Sequence, residues 1–308
     1  MIEFLESTRV PVGEHEIHLK YDARPEAKGR PVVLFLHGFP DALETWELQL
    51  AAMSDEYRVA AMDLRGTNRS TGPRGSASAD AYYIPSMLTD LDAVIDFLGG
   101  PLHLVAHDWG ALIAWVFAAD SNRASSLLSL TALSCPHPAA AKIAFRRKLL
   151  GREGWRGLKD ALEQMTRSWY ILLFQIPLVP GLVMRLAGGL VWNIMLSWGD
   201  ITRDDPLYTA SPEYRRAAVR DFAPYYRGLM RGPDLKPAGP IQVPCRLLIP
   251  LWDMAITPSM YDAMPELGES IELVPQDANH WLHRERPEET TRLIREFIAA
   301  HSPAKTKR

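Results

Sequence analysis

The stretch LVAHDWGALIAW, residues 104–115, joins an apolar run to a helix-like segment through a single carboxylate, Asp108. Small residues surround that position, with Ala106 before it and Gly110 and Ala111 after it. A sharp strand-to-helix turn needs small neighbours, because strand and helix come into close contact there. The pattern predicts a nucleophile elbow with Asp as the nucleophile, although an Asp that only caps the helix would fit these residues equally well.

Short apolar runs, each bounded by Gly, Pro or Asp, recur along the chain and alternate with helical segments. The strand-like runs occupy residues 30–38, 57–63, 101–107, 127–133, 245–252 and 270–276. Helical candidates include the segments 82–100 and 286–301. This alternation predicts an α/β fold in three layers, with a mostly parallel sheet flanked by helices.

The interval 138–240 differs from the rest of the chain, because it is helical in texture, rich in aromatic residues and without a strand-like run. We expect a helical insertion here rather than a second independent fold. Residues 1–137 and 241–308 would then form the core domain. The basic stretch 301–308 is expected to be a terminal tail.

Composition limits the classes of function. A chain of 308 residues that is 47% hydrophobic can bury a full core, and its net charge of -3 provides no basic field for nucleic acid. Cys135 and Cys245 form neither a disulfide framework nor a CxxC metal spacing. The histidines show no ligand spacing such as HExxH, so neither a metal nor a cofactor is expected; they are His103, His107, His137 and His283.

Two segments indicate where in the cell the protein is expected to be located. The N-terminal sequence MIEFLESTRV lacks the basic start and apolar run of a signal peptide, so a cytoplasmic protein is expected. The apolar segment 171–198 is interrupted by Pro, Gly and Arg185, which disfavours stable membrane insertion. It is more typical of an element that covers an apolar cavity.

Two further polar residues follow predicted strands in the order that a nucleophile elbow requires. Asp253 closes the run CRLLIPLWD, and His280 lies in the loop after residues 270–276. Each alone could be a loop cap or a surface histidine. Together with Asp108 they predict a nucleophile, acid and base in that chain order.

The segment HGFP, His37 to Pro40, ends the first long predicted strand. A Gly here allows close backbone approach, so the N–H groups of Phe39 and Trp109 are expected to form an oxyanion hole. An ordinary strand-terminating turn is the alternative. The residues expected to contact substrate are His37, Gly38, Pro40 and Trp109.

Four motifs occur along the chain: HGFP, AHDWG at 106–110, WD at 252–253 and NHW at 279–281. With these motifs, nearly the whole chain resembles the α/β-hydrolase-fold epoxide hydrolases. The resemblance implies hydrolysis of an epoxide to a vicinal diol through an ester on Asp108, without a cofactor. His280, oriented by Asp253, would activate the water. The chain departs from the family pattern at Ala106, where many relatives have Gly, and at Thr67 and Asn68, which replace an aromatic residue and a glycine.

The resemblance also implies two tyrosines, on a helical cap, that hold the epoxide oxygen. In SWYILLFQIP, residues 168–177, Tyr170 stands four residues before Phe-Gln as in the first family motif. PYYRG, residues 224–228, resembles the second motif and points to Tyr226, with Tyr225 as the alternative. Phenol groups can donate hydrogen bonds and then a proton to the opening ring. Simple aromatic packing is the other interpretation.

Rival functions share part of this pattern. Haloalkane and haloacid dehalogenases use the same Asp-His-Asp triad, but Phe39 stands where many of them have a halide-binding Asn, and Trp109 replaces the Arg of fluoroacetate dehalogenases. A catalytically inert binding module would not require Asp253 and His280. The expected partners are a small apolar epoxide and water, and the chain is expected to be a monomer or a homodimer.

Overall fold

An eight-stranded sheet in the order β1-β2-β4-β3-β5-β6-β7-β8 forms the centre of the protein. The computed structural model describes residues 3–72, 79–199, 201, 203, 205 and 207–302, so most of the expected C-terminal tail lies outside the described residues. The strands are β1 Leu5–Val12, β2 His15–Asp22, β3 Val32–Leu36, β4 Arg58–Met62, β5 Leu102–His107, β6 Leu127–Leu133, β7 Cys245–Pro250 and β8 Ile271–Gln276. Strand β2 is antiparallel to both of its neighbours, and all other adjacent strands are parallel.

Helices cover both faces of the sheet. They are α1 Glu47–Met53, α2 Ile84–Leu98, α3 Trp109–Ala119, α4 Pro138–Leu149, α5 Gly154–Arg167, α6 Trp169–Gln175, α7 Val179–Trp198, α8 Pro212–Arg231, α9 Leu282–Glu285 and α10 Pro287–His301. Along β3, Leu34 and Leu36 join a core with α2 and α3, whereas Val33 and Phe35 join a second core with α1 and α10. Because successive side chains point to opposite faces of a strand, this alternation produces three layers.

Helices α4 to α8 lie in the chain between β6 and β7. Their buried side chains, among them Phe174 and Phe222, belong to the same core as α2 and α3. Helix α7 is interrupted at Ala187, whose φ of -134° is not helical. None of the described helices is long and apolar enough to cross a membrane.

The predicted α/β class and its mostly parallel sheet are confirmed, and the six predicted strand segments correspond to β3–β8. Strands β1 and β2 were not predicted. Their sequences, LESTRVPV and HEIHLKYD, are largely polar, and only one residue of β1, Val10, is buried. An antiparallel hairpin at the edge of a sheet has fewer buried positions than a central parallel strand, so it does not produce a continuous apolar run.

Candidate active site

The turn after β5 holds Asp108 in an unusual backbone conformation, with φ 50° and ψ -114°. It is tightly packed, because the Gly110 N–H donates a hydrogen bond to the His37 carbonyl at 3.0 Å. A Cβ atom on Gly110 would lie 2.6 Å from that carbonyl oxygen. Positive φ is costly for a non-glycine residue, and it is typical of a side chain held in place for a function.

The loops after β7 and β8 bring two further predicted residues to Asp108. His280 Nδ1 lies 2.9 Å from Asp253 Oδ2, and His280 Nε2 lies 3.7 Å from Asp108 Oδ2. The other oxygen of Asp253 accepts hydrogen bonds from the backbone N–H groups of Ala255 and Ile256, at 2.7 and 3.2 Å. These bonds orient the Asp253 carboxylate, which in turn orients the imidazole.

The two carboxylates determine the charge of the imidazole between them. Burial lowers the pKa of His280, but the charges of Asp253 and Asp108 and the hydrogen bonds with them outweigh burial and raise that pKa to about 10. Burial raises the pKa of Asp108, but hydrogen bonding to His280 and the charge of His280 outweigh it, so this pKa lies below its usual value. Asp108 is therefore an anionic carboxylate beside an imidazolium at neutral pH.

The HGFP turn, which follows β3, also contacts Asp108. The Phe39 N–H donates to Asp108 Oδ1 at 2.7 Å. A Cβ atom on Gly38 would lie 2.4 Å from the Cβ of Asp108, so this approach requires glycine. Trp109 is the first residue of α3, where backbone N–H groups have no acceptor within their own helix.

His37 and Pro40 are buried behind this turn instead of bordering the cavity that contains Asp108. His37 Nε2 accepts from the Leu64 N–H at 3.1 Å, and its Nδ1 faces the Gly38 carbonyl at 3.0 Å. The Pro40 carbonyl accepts from the Tyr214 hydroxyl at 3.3 Å. Of the four expected substrate contacts, only Trp109 is among the described residues that line the cavity. Substrate contact by His37, Gly38 and Pro40 stays a prediction.

A cavity of about 600 Å³ lies over the Asp108 carboxylate. Its polar lining includes Tyr170, Tyr226 and Gln164, and its apolar lining includes Leu112, Phe145, Met165, Ile171 and Leu229. Pockets of this size and character bind small organic molecules. The lining residues include members of α3, α4, α5, α6 and α8 and of the loop after β7.

The two neighbouring tyrosines of α8 have different environments. Tyr226 lines the cavity, and its hydroxyl interacts with the side chains of Tyr170 and Trp109. The Tyr225 hydroxyl instead donates to the Arg65 carbonyl at 2.6 Å. Burial, with the charge of Asp108 as a lesser cause, raises the pKa of Tyr170, and burial likewise raises that of Tyr226. Both cavity phenols are therefore protonated and can donate hydrogen bonds.

Sequence reasoning did not identify two residues of α5 that hold the Asp253 loop. The Gln164 amide donates to the Ala255 carbonyl at 2.9 Å and accepts from the Thr257 N–H at 2.8 Å. Arg167 donates to the carbonyl of Asp253 itself. Nothing in a single sequence marks these residues, because their partners lie about 90 positions away along the chain.

One group of buried residues has the composition of a metal site. Asp41, His107 and His283 each offer one ligand atom, and these atoms lie within 4.8 Å of one another. The three residues come from segments far apart in sequence, so no local spacing indicated them. Spacing along the chain, on which the expectation of no metal rests, therefore does not detect this group.

The comparisons with known proteins agree with this geometry. Residues 31–166 match the α/β hydrolase fold family. The chain is similar to epoxide hydrolase 3 of Xenopus tropicalis, with 30% identity over 290 residues that cover 88% of this chain and 72% of that protein. Epoxide hydrolase 4 of Mus musculus is 32% identical over 172 residues, which cover 56% of this chain and 43% of that protein. The crystal structure of Bacillus megaterium epoxide hydrolase in complex with an inhibitor has a TM-score of 0.75 and 26% identity, covering 95% of this chain and all of that one. This chain belongs to the epoxide hydrolase family of the α/β hydrolase fold.

Proposed function

We propose that this protein hydrolyses apolar epoxides to vicinal diols through a covalent ester on Asp108. The observation that carries this conclusion is the pairing, in one cavity, of an anionic carboxylate with two protonated phenols. A carboxylate supplies the nucleophile that an epoxide carbon needs. The phenols supply the acid that the departing oxygen needs.

In the first step, Asp108 Oδ2 forms a bond to one epoxide carbon while the bond from that carbon to the ring oxygen breaks. Asp108 Oδ1 is engaged by the Phe39 N–H, which leaves Oδ2 as the attacking atom. Tyr170 and Tyr226 hydrogen-bond the ring oxygen, and one of them gives it a proton. The product of this step is a hydroxyalkyl ester.

Formation of the ester changes the charge around His280. The carboxylate charge of Asp108 raises the pKa of His280, and an ester carries no charge. Alkylation therefore lowers this pKa, so that the imidazolium proton passes to the tyrosinate left by the first step and the neutral imidazole can act as a base. The nucleophile and the base are thus activated in succession rather than together.

In the second step, His280 Nε2 removes a proton from water as the water oxygen attacks Cγ of the ester. The resulting oxyanion on Oδ1 is stabilised by the N–H groups of Phe39 and Trp109, and each such donor contributes roughly 3 to 4 kcal/mol in related chemistry. The bond from Cγ to the substrate oxygen then breaks, and that oxygen takes the proton from His280. A diol leaves, and Asp108, now a carboxylic acid, gives its proton to His280, which restores the carboxylate and the imidazolium.

The proposed mechanism divides the chain into a core and a cap. In our proposal, residues 1–137 and 241–308 form the core that carries Asp108, Asp253 and His280, and residues 138–240 form a cap. Helices α6 and α8 of that cap contribute Tyr170 and Tyr226. The apolar side chains around the cavity favour lipophilic substrates.

Mass spectrometry of the variant His280→Gln tests the proposed reaction. Attack by Asp108 does not require the base, so incubation with styrene oxide should leave an adduct equal to the whole mass of the epoxide on the Asp108 peptide. The matched control is the double variant Asp108→Asn, His280→Gln, which should remain unmodified. If neither protein carries an adduct, epoxide hydrolysis by this route is excluded.

A parallel incubation with a bromoalkane tests the dehalogenase alternative. In that chemistry the adduct would lack the bromine, and the indole of Trp109 would have to receive the halide. The Trp109 side chain instead interacts with the hydroxyl of Tyr226. Labelling by the bromoalkane and not by the epoxide would replace our proposal with dehalogenation.

A further inference from the structure

Behind the proposed catalytic groups lies a second polar group of residues, Asp41, His107 and His283, here called the back cluster. Their exposed fractions are 4%, 0% and 0%. Each is close in sequence to a proposed catalytic group, since Asp41 follows Phe39 by two positions, His107 precedes Asp108 and His283 follows His280 by three. None of the three is among the described residues that line the substrate cavity.

The hydrogen bond of His107 determines its tautomer. Its Nε2 lies 3.0 Å from the backbone carbonyl of His280. A carbonyl can only accept, so Nε2 carries the proton and Nδ1 presents a bare lone pair. This Nδ1 is buried without a hydrogen-bond partner among the described residues.

The same reasoning applies to His283. With its hydrogen donated to Asp41 Oδ2 at 3.1 Å, the Thr45 hydroxyl accepts from Arg284 Nη1 at 3.2 Å and from His283 Nε2 at 2.9 Å, which is the tautomer with the proton on Nε2. His283 Nδ1 is therefore also a bare lone pair. Asp41 Oδ2 accepts a second hydrogen bond from the Trp281 indole at 3.0 Å. Within the described part of the chain, neither Asp41 Oδ1 nor His283 Nδ1 has a partner.

The back cluster thus holds three unpaired acceptors in one buried region. Leaving a buried acceptor unsatisfied is costly. A water molecule has two hydrogens, so it cannot donate to all three acceptors, whereas a cation can be bound by all of them at once. A neutral imidazole with a bare Nδ1 lone pair, as the hydrogen bonds of His107 and His283 indicate, is the form that binds metals.

We infer that the back cluster binds one divalent first-row transition-metal ion through Asp41, His107 and His283. Two imidazoles and one carboxylate form a ligand set that Zn²⁺ accepts. In tetrahedral geometry, ligand atoms about 2.0 to 2.2 Å from the ion lie about 3.3 to 3.6 Å apart, so ligand atoms at the present 4.8 Å limit must approach by about 1.2 to 1.5 Å.

The surroundings already orient the ligands as the outer contacts of a metal site do. Thr45, Trp281 and the His280 carbonyl bind the remaining polar atoms of the three ligands. A bound ion would link the loop after β3, the end of β5 and the beginning of α9 at residues that do not line the cavity. These are the segments that present Phe39, Asp108 and His280 to the cavity. The inference rests on the cluster alone and does not require the proposed hydrolase activity.

Zinc binding by the full chain tests the site. The protein is freed of metal with a chelator and incubated at length with Zn²⁺, because the cluster is buried, and its metal content and zinc affinity are measured. We expect about one bound equivalent, and an affinity weakened by more than about tenfold in Asp41→Asn and His283→Gln. His103→Gln is the matched control, since His103 is equally buried but bonds Ser129 and Ser302. Affinity in the two cluster variants equal to that of the wild type would overturn the inference.

Crystallography of the wild-type protein grown with zinc avoids any dependence on how the variants fold. Diffraction at the zinc absorption edge should give an anomalous peak between Asp41, His107 and His283. A peak confined to the Asp108, Asp253 and His280 site or to the surface contradicts the inference. The absence of any peak also contradicts it, and would leave a proton shared between Asp41 and an imidazole as the explanation for the three acceptors.

Discussion

At the scale of single residues, the charge of His280 is the quantity that links the two steps of the proposed mechanism. A histidine with a pKa of about 10 is a poor base at neutral pH. Its proton is held by two carboxylates, and in the proposed mechanism only one of them, Asp108, reacts with substrate. The nucleophile would then suppress the base until the ester exists.

The variant Asp108→Asn isolates this effect, because the neutral amide imitates the charge of the ester. The charge of Asp108 raises the pKa of His280, so removing that charge must lower it. We expect a pKa about 1 to 3 lower than in the wild type, measured by NMR titration of labelled histidine. Asp221→Asn is the control, since Asp221 is not one of the charges that act on His280. An unchanged pKa would mean that Asp253 alone holds the proton.

At the scale of secondary structure, helix α8 decides which of two adjacent tyrosines lines the cavity. Successive residues on a helix point about 100° apart, because each turn contains about 3.6 residues. Tyr226 consequently lines the cavity, while Tyr225 bonds the Arg65 carbonyl. The sequence motif alone favoured Tyr226 but left Tyr225 open as an alternative.

Paired phenylalanine variants of α8 measure the difference. Tyr226→Phe removes a donor to the epoxide oxygen, so ester formation in a single turnover should slow by about 100-fold or more. Tyr225→Phe should retain nearly the wild-type rate and lose about 1 kcal/mol of folding free energy, because the Arg65 carbonyl loses its partner. Rapid-quench mass spectrometry gives the rates, and urea unfolding gives the stability. A larger loss of rate in Tyr225→Phe would reverse the assignment of the two side chains.

At the scale of the whole molecule, a buried ion pair connects distant parts of the chain. Arg65 forms two hydrogen bonds with Asp90 of α2, at 2.7 and 2.8 Å. The Asp90 carboxylate also bonds His15 of β2 at 2.9 Å, and the Arg65 carbonyl accepts from Tyr225 of α8. The edge hairpin, the helical layer and the segment that carries Tyr226 therefore meet at one arginine.

Replacement of Arg65 by Met should destabilise the protein by about 3 to 5 kcal/mol, because it leaves Asp90 buried with too few partners. The matched control is Arg292→Met. Arg292 pairs with Glu296 on the surface, with both side chains more than half exposed, so its loss should cost about 0 to 1 kcal/mol. Urea unfolding measures both variants. Similar losses in the two would show that burial of the Arg65 pair contributes nothing.

The sequence by itself determined the central sheet and the position of the elbow. Buried parallel strands must be continuously apolar, and the turn at Asp108 must have small neighbours, so both features are visible in a short window of sequence. The same local logic identified Asp253 and His280, since each follows an apolar run that ends at the carboxyl edge of the sheet. The polar edge hairpin of β1 and β2 escaped prediction because it lacks such a run.

Only the tertiary structure decided what depends on contacts between distant residues. His37 and Pro40 belong to a conspicuous motif but are buried behind the nucleophile, whereas Gln164 and Arg167 belong to no motif and hold the Asp253 loop. The back cluster likewise exists only where three separate segments meet. Local sequence determines backbone conformation and burial pattern, but the partners of a buried polar atom are determined by how the elements pack, and that packing is a property of the whole chain.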